Sequence, residues 1–195
     1  MPDIRDRRRR ETRRALQEHA LRLFTERGYD STTVNDVAEA AGVSAMTVYR
    51  HFPSKEDLVL LASYDELIAE RVAAQPPDQP DARRIGRAIV DTATAGVASD
   101  ADRRSLLALL RLMIDTPAIR ARHLDSQYAT QTAIVEAMRT EATDPETEFR
   151  RWVTAGACLA AMHAAVVRWA DEDGRPELPG LIETALSATF ANEFP

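Results

Sequence analysis

Thr32 to His51 read TTVNDVAEAAGVSAMTVYRH, and this stretch decides the fold. A helix-turn-helix needs a small residue where its two helices cross, a glycine in the turn that can adopt a positive φ, and apolar residues that hold the helices together. Ala38 supplies the small residue, Gly42 supplies the turn, and the apolar residues are Val34, Val37, Val43 and Val48. The spacing therefore predicts two short helices joined by a tight turn.

Hydroxyl-bearing side chains stand where both of these helices are predicted to begin. Thr33 is a candidate N-cap, and Asp36 follows it at the spacing of a capping box. Ser44 is placed to cap the second helix. In that helix only Val48 is expected to be buried in the core. We expect the other side chains to face outward, as they do where a recognition helix meets base edges. These residues are Ala45, Met46, Thr47, Tyr49 and Arg50.

A plain helical hairpin shares the alanine and glycine spacing, so the pattern alone leaves that alternative open. The residues that follow this pattern favour a helix-turn-helix that binds nucleic acid over a plain hairpin. Tyr49, His51 and Lys55 cluster around the end of the outward-facing helix, where hydroxyl, imidazole and ammonium groups suit phosphate oxygens. Lys55 is the only lysine in the chain, and it follows Ser54 at a predicted helix N-terminus, where free amides also favour anions.

The rest of the chain predicts helices, because apolar residues recur at spacings of three and four and no segment alternates strictly. A helix from about Arg7 to Arg27 precedes the motif and ends at Gly28. After the motif, Ser54 is expected to cap one continuous helix that runs to the proline-rich break at 75–80. Five further helices are predicted at about 82–98, 102–115, 117–141, 145–172 and 177–193.

These elements predict an all-α fold of about nine helices in two domains. A three-helix helix-turn-helix domain with an N-terminal arginine arm is expected over 1–53, and a larger helical bundle domain over 54–195. The charge differs between the two regions: residues 1–55 carry a formal charge of +3, and the remainder carries −9 within a total of −6. A basic module on an acidic body is compatible with a phosphate-binding head.

The composition is that of a soluble globular protein, with 45% hydrophobic and 29% charged residues. No stretch approaches the roughly 18 uninterrupted apolar residues of a membrane span, and no secretory signal is recognised, so we expect a cytoplasmic protein with no membrane partner. The single cysteine, Cys158, lies in an alanine-rich helical run and is expected to be a small buried hydrophobe.

The arginine arm has two interpretations that the sequence leaves open. Residues 1–14 carry seven arginines against three acidic residues, including the run Arg7 to Arg10. Such a run is either a solvated, frayed helix end or an arm that reaches phosphates or a narrow minor groove. An arm of the second kind would change affinity and salt dependence more than sequence preference.

From about Thr12 to Leu60, the chain closely resembles the DNA-binding domain of the tetracycline-repressor (TetR) family of bacterial regulators. The resemblance rests on ALRLFTERGYDSTTV, VAEAAGVS and TVYRHFPSKEDL, and it covers about a third of the chain. It implies a homodimer that binds a palindromic operator, usually as a repressor, and leaves DNA when a small ligand binds the C-terminal domain. By position, it implies phosphate contacts from Thr33, Tyr49, His51 and Lys55, and a major-groove face formed by Asn35, Ala45, Met46, Thr47 and Arg50.

The same resemblance assigns the dimer interface to the last two helices. The predicted helix over 145–172 is rich in small residues that allow close approach of another helix, and the final helix has a wide apolar face. A two-fold dimer would set its recognition helices about 34 Å apart on one face of DNA. The alternative is that both helices belong only to the core of one subunit.

A ligand site is also implied, on the inner faces of the middle helices. Its candidate residues are Met113, Tyr128, Met138, Trp152 and His163. Methionine and aromatic side chains at helical spacing also fit an ordinary core, and His163 also fits a core histidine. Because the set is largely apolar, the expected effector is a small apolar or aromatic molecule.

An enzyme and a nonspecific DNA binder are the two alternatives to a regulator. An enzyme would have Cys158 and His163 as its most reactive pair, but five residues on a helix turn them about 140° apart. The sequence shows no glycine-rich phosphate loop, His/Cys metal spacing or nucleophile elbow, so no catalytic residue, metal or cofactor is predicted. A nonspecific architectural DNA binder that uses the arginine arm alone would bind without sequence preference.

Overall fold

The computed structural model describes residues 4–60, 62–140 and 144–190. Within these ranges it contains nine α-helices, one short 3₁₀ helix and no β-strand, which confirms the predicted all-α fold with its N-terminal helix-turn-helix. The α-helices are α1 Ile4–Arg27, α2 Val34–Ala40, α3 Ala45–His51, α4 Ala62–Ala74, α5 Asp81–Gly96, α6 Asp100–Asp115, α7 Pro117–Ala137, α8 Pro145–Asp171 and α9 Leu178–Thr189.

The chain divides into two compact units, residues 1–60 with 111–123 and residues 61–110 with 124–195. The helices α6 and α7 therefore contribute residues to both units. A domain boundary after residue 53 stays a prediction.

In the first unit, α1 packs against α2 and against the 3₁₀ helix, and α2 packs against α3. One face of α1 is buried, as are apolar residues of α2 and α3: Leu16, Ala20, Leu23, Phe24, Val37 and Val48. Gly28 and Gly42 have φ values of 86° and 67°. Side chains rarely adopt this left-handed region, so glycine permits both the stop after α1 and the turn between α2 and α3.

The two predicted N-caps of the helix-turn-helix are confirmed by their hydrogen bonds. Thr33 is the N-cap of α2, and Thr33 and Asp36 form the capping box. Ser44 caps α3 by accepting a hydrogen bond from the backbone N–H of Thr47 at 3.1 Å. Asp144 caps α8, with Pro145 at its first position. These short side-chain bonds fix where each helix begins because they satisfy amides that have no partner inside the helix.

The single helix predicted from Ser54 to about Gln75 is wrong, since the chain forms a 3₁₀ helix over Glu56–Val59 and begins α4 only at Ala62. Leu60 between them is extended, with φ −79° and ψ 143°. The consecutive residues Leu58, Val59 and Leu60 are all buried, which one face of an α-helix does not allow. The carbonyl of Leu60 is left outside a helical ladder and accepts a hydrogen bond from Gln17 Nε2 at 3.2 Å.

In the second unit, α4, α5, α8 and α9 pack together, with α8 against α9 and α5 against both of them. Trp169, Ile182 and Leu186 lie in its core, and Cys158 is fully buried, as expected for a small hydrophobe. The turn before α9 is held by Arg103, which donates to the carbonyls of Gly174 and Pro176. Within the described residues, α8 alone is long and apolar enough to span a membrane by length and composition. In this fold, however, it packs against α5 and α9.

Candidate nucleic-acid interface

The outward face of α3 is the exposed part of the helix-turn-helix. Val48 is fully buried, whereas Met46 is 72% and Tyr49 is 49% exposed. Arg50 is also exposed, and Ala45 and Thr47 are partly exposed. A large apolar side chain that stays in water after folding gains nothing from the core, so this face is free to meet a partner.

Thr33 and Asn35 lie exposed at the start of α2. The Thr33 hydroxyl donates to Asp36 Oδ2 at 2.5 Å and accepts from the Asp36 backbone N–H at 3.2 Å. The hydrogen bonds from Thr33 hold the pKa of the Asp36 carboxyl below its usual range. Thr33 thus already has a structural role in starting α2, beside the phosphate contact that was expected of it.

Lys55 belongs to a small network that the sequence analysis did not identify. Its Nζ donates to the Tyr29 carbonyl and lies 3.9 Å from the centre of the Tyr29 ring. The Tyr29 hydroxyl donates to Glu56 Oε1 at 2.6 Å. Burial, followed by the Glu56 hydrogen bond, raises the Tyr29 pKa, and the same hydrogen bond lowers that of Glu56. The ammonium has three donors, so the contact with Tyr29 fixes its position and leaves two donors for an anion.

The end of α3 is fixed to α1 by Arg13. Its Nη1 donates to the carbonyl of His51 at 3.0 Å, and its guanidinium lies 4.4 Å from the centre of the Phe52 ring, which is fully buried. Burial first, and then the charges of Arg9, Arg13 and Arg50, hold the pKa of His51 below its ordinary value. Its Nδ1 is buried and has no hydrogen-bond partner among the described residues. The predicted contact His51 is therefore affected by three arginines, of which the predicted contact Arg50 is one.

The arginine arm continues α1, which is helical from Ile4 onward. Residues 1–3 lie outside the described residues, as do the side chains of Arg5 and Arg10. Arg7 and Arg14 each pair with a glutamate one helical turn further on, at 3.4 and 2.9 Å. The described part of the arm is thus a charged helical segment in which two arginines are paired with glutamates of α1.

The predicted ligand residues do not share one environment. Met113 and Met138 are buried core residues, whereas Tyr128 is 67% exposed. Trp152 is partly buried and contacts the Tyr128 ring edge-on, with 5.1 Å between ring centres, and His163 is partly buried on α8. Helical spacing did not distinguish the core face of α7 from its surface, and a ligand site among these residues stays a prediction.

Comparison with known proteins supports the assignment of both parts of the chain. Residues 16–62 match the family described as bacterial regulatory proteins, tetR family, and residues 79–192 match the MftR C-terminal domain. The regulator TcmR of Streptomyces glaucescens is 32% identical over 156 residues, which cover 76% of this chain and 69% of TcmR.

Solved structures agree in fold over almost the whole chain. A TetR-family regulator from Streptomyces coelicolor A3 aligns with a TM-score of 0.59 and 20% identity, over 92% of this chain and 93% of its own. The repressor FadR of Thermus thermophilus, solved with lauroyl-CoA, aligns with a TM-score of 0.53 and 19% identity, over 91% of this chain and 93% of its own.

Proposed function

Because this chain belongs to the tetR family of bacterial regulatory proteins, we propose that it is a cytoplasmic repressor that binds a palindromic operator as a homodimer and is released by a small effector. Proteins of this family are transcriptional regulators that bind DNA, and its relatives here are regulators rather than enzymes. The exposed face of α3 carries the proposal. Met46 and Tyr49 project from a helix whose opposite side is anchored by the fully buried Val48, as a recognition helix requires.

The residues in contact with DNA are proposed to act in two groups. Thr33, Tyr49, His51 and Lys55 would contact phosphates, which position the protein without reading sequence. Asn35, Ala45, Met46, Thr47 and Arg50 would face the major groove. Within the second group Asn35 and Arg50 have the side-chain chemistry for adenine and guanine edges, and Met46 suits the methyl group of thymine.

The homodimer is proposed to form through the last two helices, α8 and α9. Two of the large exposed hydrophobic residues of the second unit, Phe149 at 62% and Val153 at 53% exposed, lie on α8. Further along the same helix, Ala160 and Ala164 are exposed and small enough to admit a second helix closely. An isologous interface of this kind uses the same surface of both subunits, which gives two identical DNA-binding heads for a palindrome.

The effector is proposed to be a small apolar or aromatic molecule that binds among the C-terminal helices, with Met113, Tyr128, Met138, Trp152 and His163 as candidate contacts. The bound lauroyl-CoA of Thermus thermophilus FadR, which carries an apolar acyl chain, supports a ligand of this kind.

The helix α7 offers a connection between effector and DNA. Arg122, near the start of α7, forms a 2.9 Å ion pair with Asp57. Asp57 follows the helix-turn-helix in the sequence, and its side chain is 10% exposed. Since α7 contributes residues to both units, a ligand that favours one position of α7 would also act on this ion pair and shift the population of DNA-binding states.

Selection from a pool of random DNA duplexes tests this function. We expect the wild-type protein to enrich one palindrome and to bind it roughly 10³-fold more tightly than random duplex. The double variant Met46→Ala, Tyr49→Ala is expected to lose the enrichment, because both side chains are exposed on α3 and their removal leaves the core intact.

The matched control is Arg22→Ala, which changes an exposed residue of α1 that is paired with Glu26. It is expected to enrich the same palindrome as the wild type. Equal retention of all sequences by the wild type and the double variant would instead assign the chain to nonspecific, architectural DNA binding.

A further inference from the structure

The arginines near the N-terminus of α1 differ in what they already contact. Arg7 is paired with Glu11 and Arg14 with Glu18, and Arg13 is committed to the His51 carbonyl and the Phe52 ring. Arg8 and Arg9 have no acidic partner among the described residues, although both are exposed. The run of arginines therefore contains two guanidinium groups that the fold leaves available.

Arg8 and Arg9 line a surface cavity of about 560 Å³ together with Thr12 of α1 and Arg50 and His51 of α3. The cavity lies between two helices that Arg13 links through its hydrogen bond to the His51 carbonyl and its contact with the Phe52 ring, so the helices that carry the lining side chains are held together before any ligand binds. A site whose walls are already in place loses less conformational entropy on binding than a frayed arm would.

The chemistry of this cavity is that of an anion site. Three of its five lining residues are arginines and none is acidic. Arg9, Arg13 and Arg50 are the charges that act on the imidazole of His51, where burial first and then these three guanidinium groups lower the pKa. Guanidinium groups bind phosphate oxygens in a bidentate manner, and the imidazole of His51 adds a further hydrogen-bonding group. The Thr12 hydroxyl lines the cavity but already donates to the Arg8 carbonyl at 2.9 Å.

We propose that this cavity, lined by Arg8, Arg9, Thr12, Arg50 and His51, binds one backbone phosphate of duplex DNA through Arg8 and Arg9, which makes the N-terminal part of α1 a second attachment point beside the recognition helix. The inference rests on the proposed function. A phosphodiester is favoured over a free anion because Arg50 belongs to both the pocket and the exposed face of α3, so a duplex seated on that face passes the pocket.

A phosphate pocket and an arm of diffuse positive charge predict different salt dependences of DNA affinity. We expect Arg8→Ala, Arg9→Ala to reduce the slope of log affinity against log salt by about 0.9 for each phosphate that is no longer neutralised, or roughly two for a dimer. The double variant Arg7→Ala, Arg14→Ala removes the same charge from the same helix, but from arginines already paired with glutamates. It is expected to change the slope by less than half as much.

The measurement is fluorescence anisotropy of a labelled random-sequence duplex, titrated with the full-length protein at several salt concentrations, and repeated with the selected palindrome. Because a phosphate contact carries no sequence information, Arg8→Ala, Arg9→Ala should weaken both duplexes by the same factor. The Arg22→Ala variant measures how much affinity is lost when a positive charge is removed from α1 outside the pocket. The random duplex makes the result independent of whether a palindrome is found at all.

Three outcomes would overturn the proposal. Equal slopes for the two double variants would show that the arm acts as a diffuse charge. An unchanged slope in Arg8→Ala, Arg9→Ala, with circular dichroism showing intact helices, would show that the pocket does not contact DNA. Calorimetric binding of inorganic phosphate that this variant abolishes, without any change in its DNA slope, would assign the pocket to a free anion.

Discussion

His51 is the residue whose ionisation is expected to respond to DNA. Burial and the neighbouring Arg9, Arg13 and Arg50 lower its pKa in the free protein from an ordinary value of 6.5, so the imidazole is neutral at pH 7. A phosphate in the adjacent pocket would offset these positive charges and favour the protonated imidazole, so binding takes up a proton. Because protons then promote binding, affinity should rise as the pH falls.

We expect the wild type to bind duplex roughly threefold more tightly at about pH 6 than at about pH 7.5, at constant ionic strength. His51→Asn retains hydrogen-bonding capacity but does not titrate, so its affinity should stay nearly constant over the same range. Anisotropy titrations at each pH measure both. An equal pH dependence of DNA affinity in the wild type and in His51→Asn would exclude His51 as the cause.

The stability of the free protein depends on pH in the opposite direction to its DNA affinity. The folded chain binds fewer protons at His51 than the unfolded chain, so its stability falls as the pH drops below 6.5.

Lys55 illustrates which part of a site a sequence can predict. Its residue type and its place in the sequence predict a phosphate contact near the end of α3, and this contact stays a prediction. Its hydrogen bond to the Tyr29 carbonyl, 26 positions away, depends on how α1 ends and on the 3₁₀ helix that follows Lys55. A contact between residues so far apart in sequence depends on the fold of the whole unit, and a local sequence pattern does not predict it.

At the scale of elements, helix starts were predictable and one helix interior was not. Thr33, Ser44 and Asp144 cap their helices through bonds that reach two or three residues, and such bonds are visible in the sequence. The interruption at Leu60 is compensated by Gln17, which is 43 positions away, and it buries three consecutive apolar side chains. Because α-helical periodicity assumes a single buried face, the sequence favoured one continuous helix there.

A buried cluster of charges connects three helices of the second unit. Asp81 at the start of α5 is within 3.9 Å of Arg84 on the same helix and within 3.4 Å of Arg151 on α8. The Arg84 side chain is 6% exposed, and its Nε has no hydrogen-bond partner among the described residues. Arg151 also donates to the Met138 carbonyl at the end of α7, at 2.8 Å. One carboxylate thus neutralises two guanidinium groups where α5 and α8 meet.

Asp81→Asn keeps the shape of this side chain and removes its charge. Breaking a buried ion pair costs about 3 to 5 kcal/mol, and the partial exposure of Asp81 reduces the expected loss to about 2 kcal/mol of unfolding free energy. Asp91→Asn removes the same charge from an exposed position of α5 and should change stability by less than about 0.5 kcal/mol. Urea denaturation followed by circular dichroism measures the difference. Indistinguishable midpoints would show that Arg84 and Arg151 do not depend on the carboxylate.

For the whole molecule, the proposed function requires two copies of the chain. A palindrome presents two half-sites, and a single recognition helix reads only one of them. Phe149 and Val153 lie exposed on α8 at positions four residues apart, which places them on one face of the helix. Large apolar side chains that remain in water after folding are expected to become buried when two copies associate.

Val153→Glu places a charge in this face, and burial of two unpaired carboxylates around the two-fold axis would oppose association. We expect sedimentation equilibrium to show a mass near 21.7 kDa for this variant and twice that value for the wild type. Ala101→Glu adds the same charge at an exposed position of α6, and this variant should remain dimeric.

Operator affinity should fall at least 100-fold in Val153→Glu, because the second half-site contributes only when it is linked to the first. Random-duplex affinity should change much less, because it requires only one head. A dimeric Val153→Glu protein would place the subunit interface elsewhere than on this face of α8.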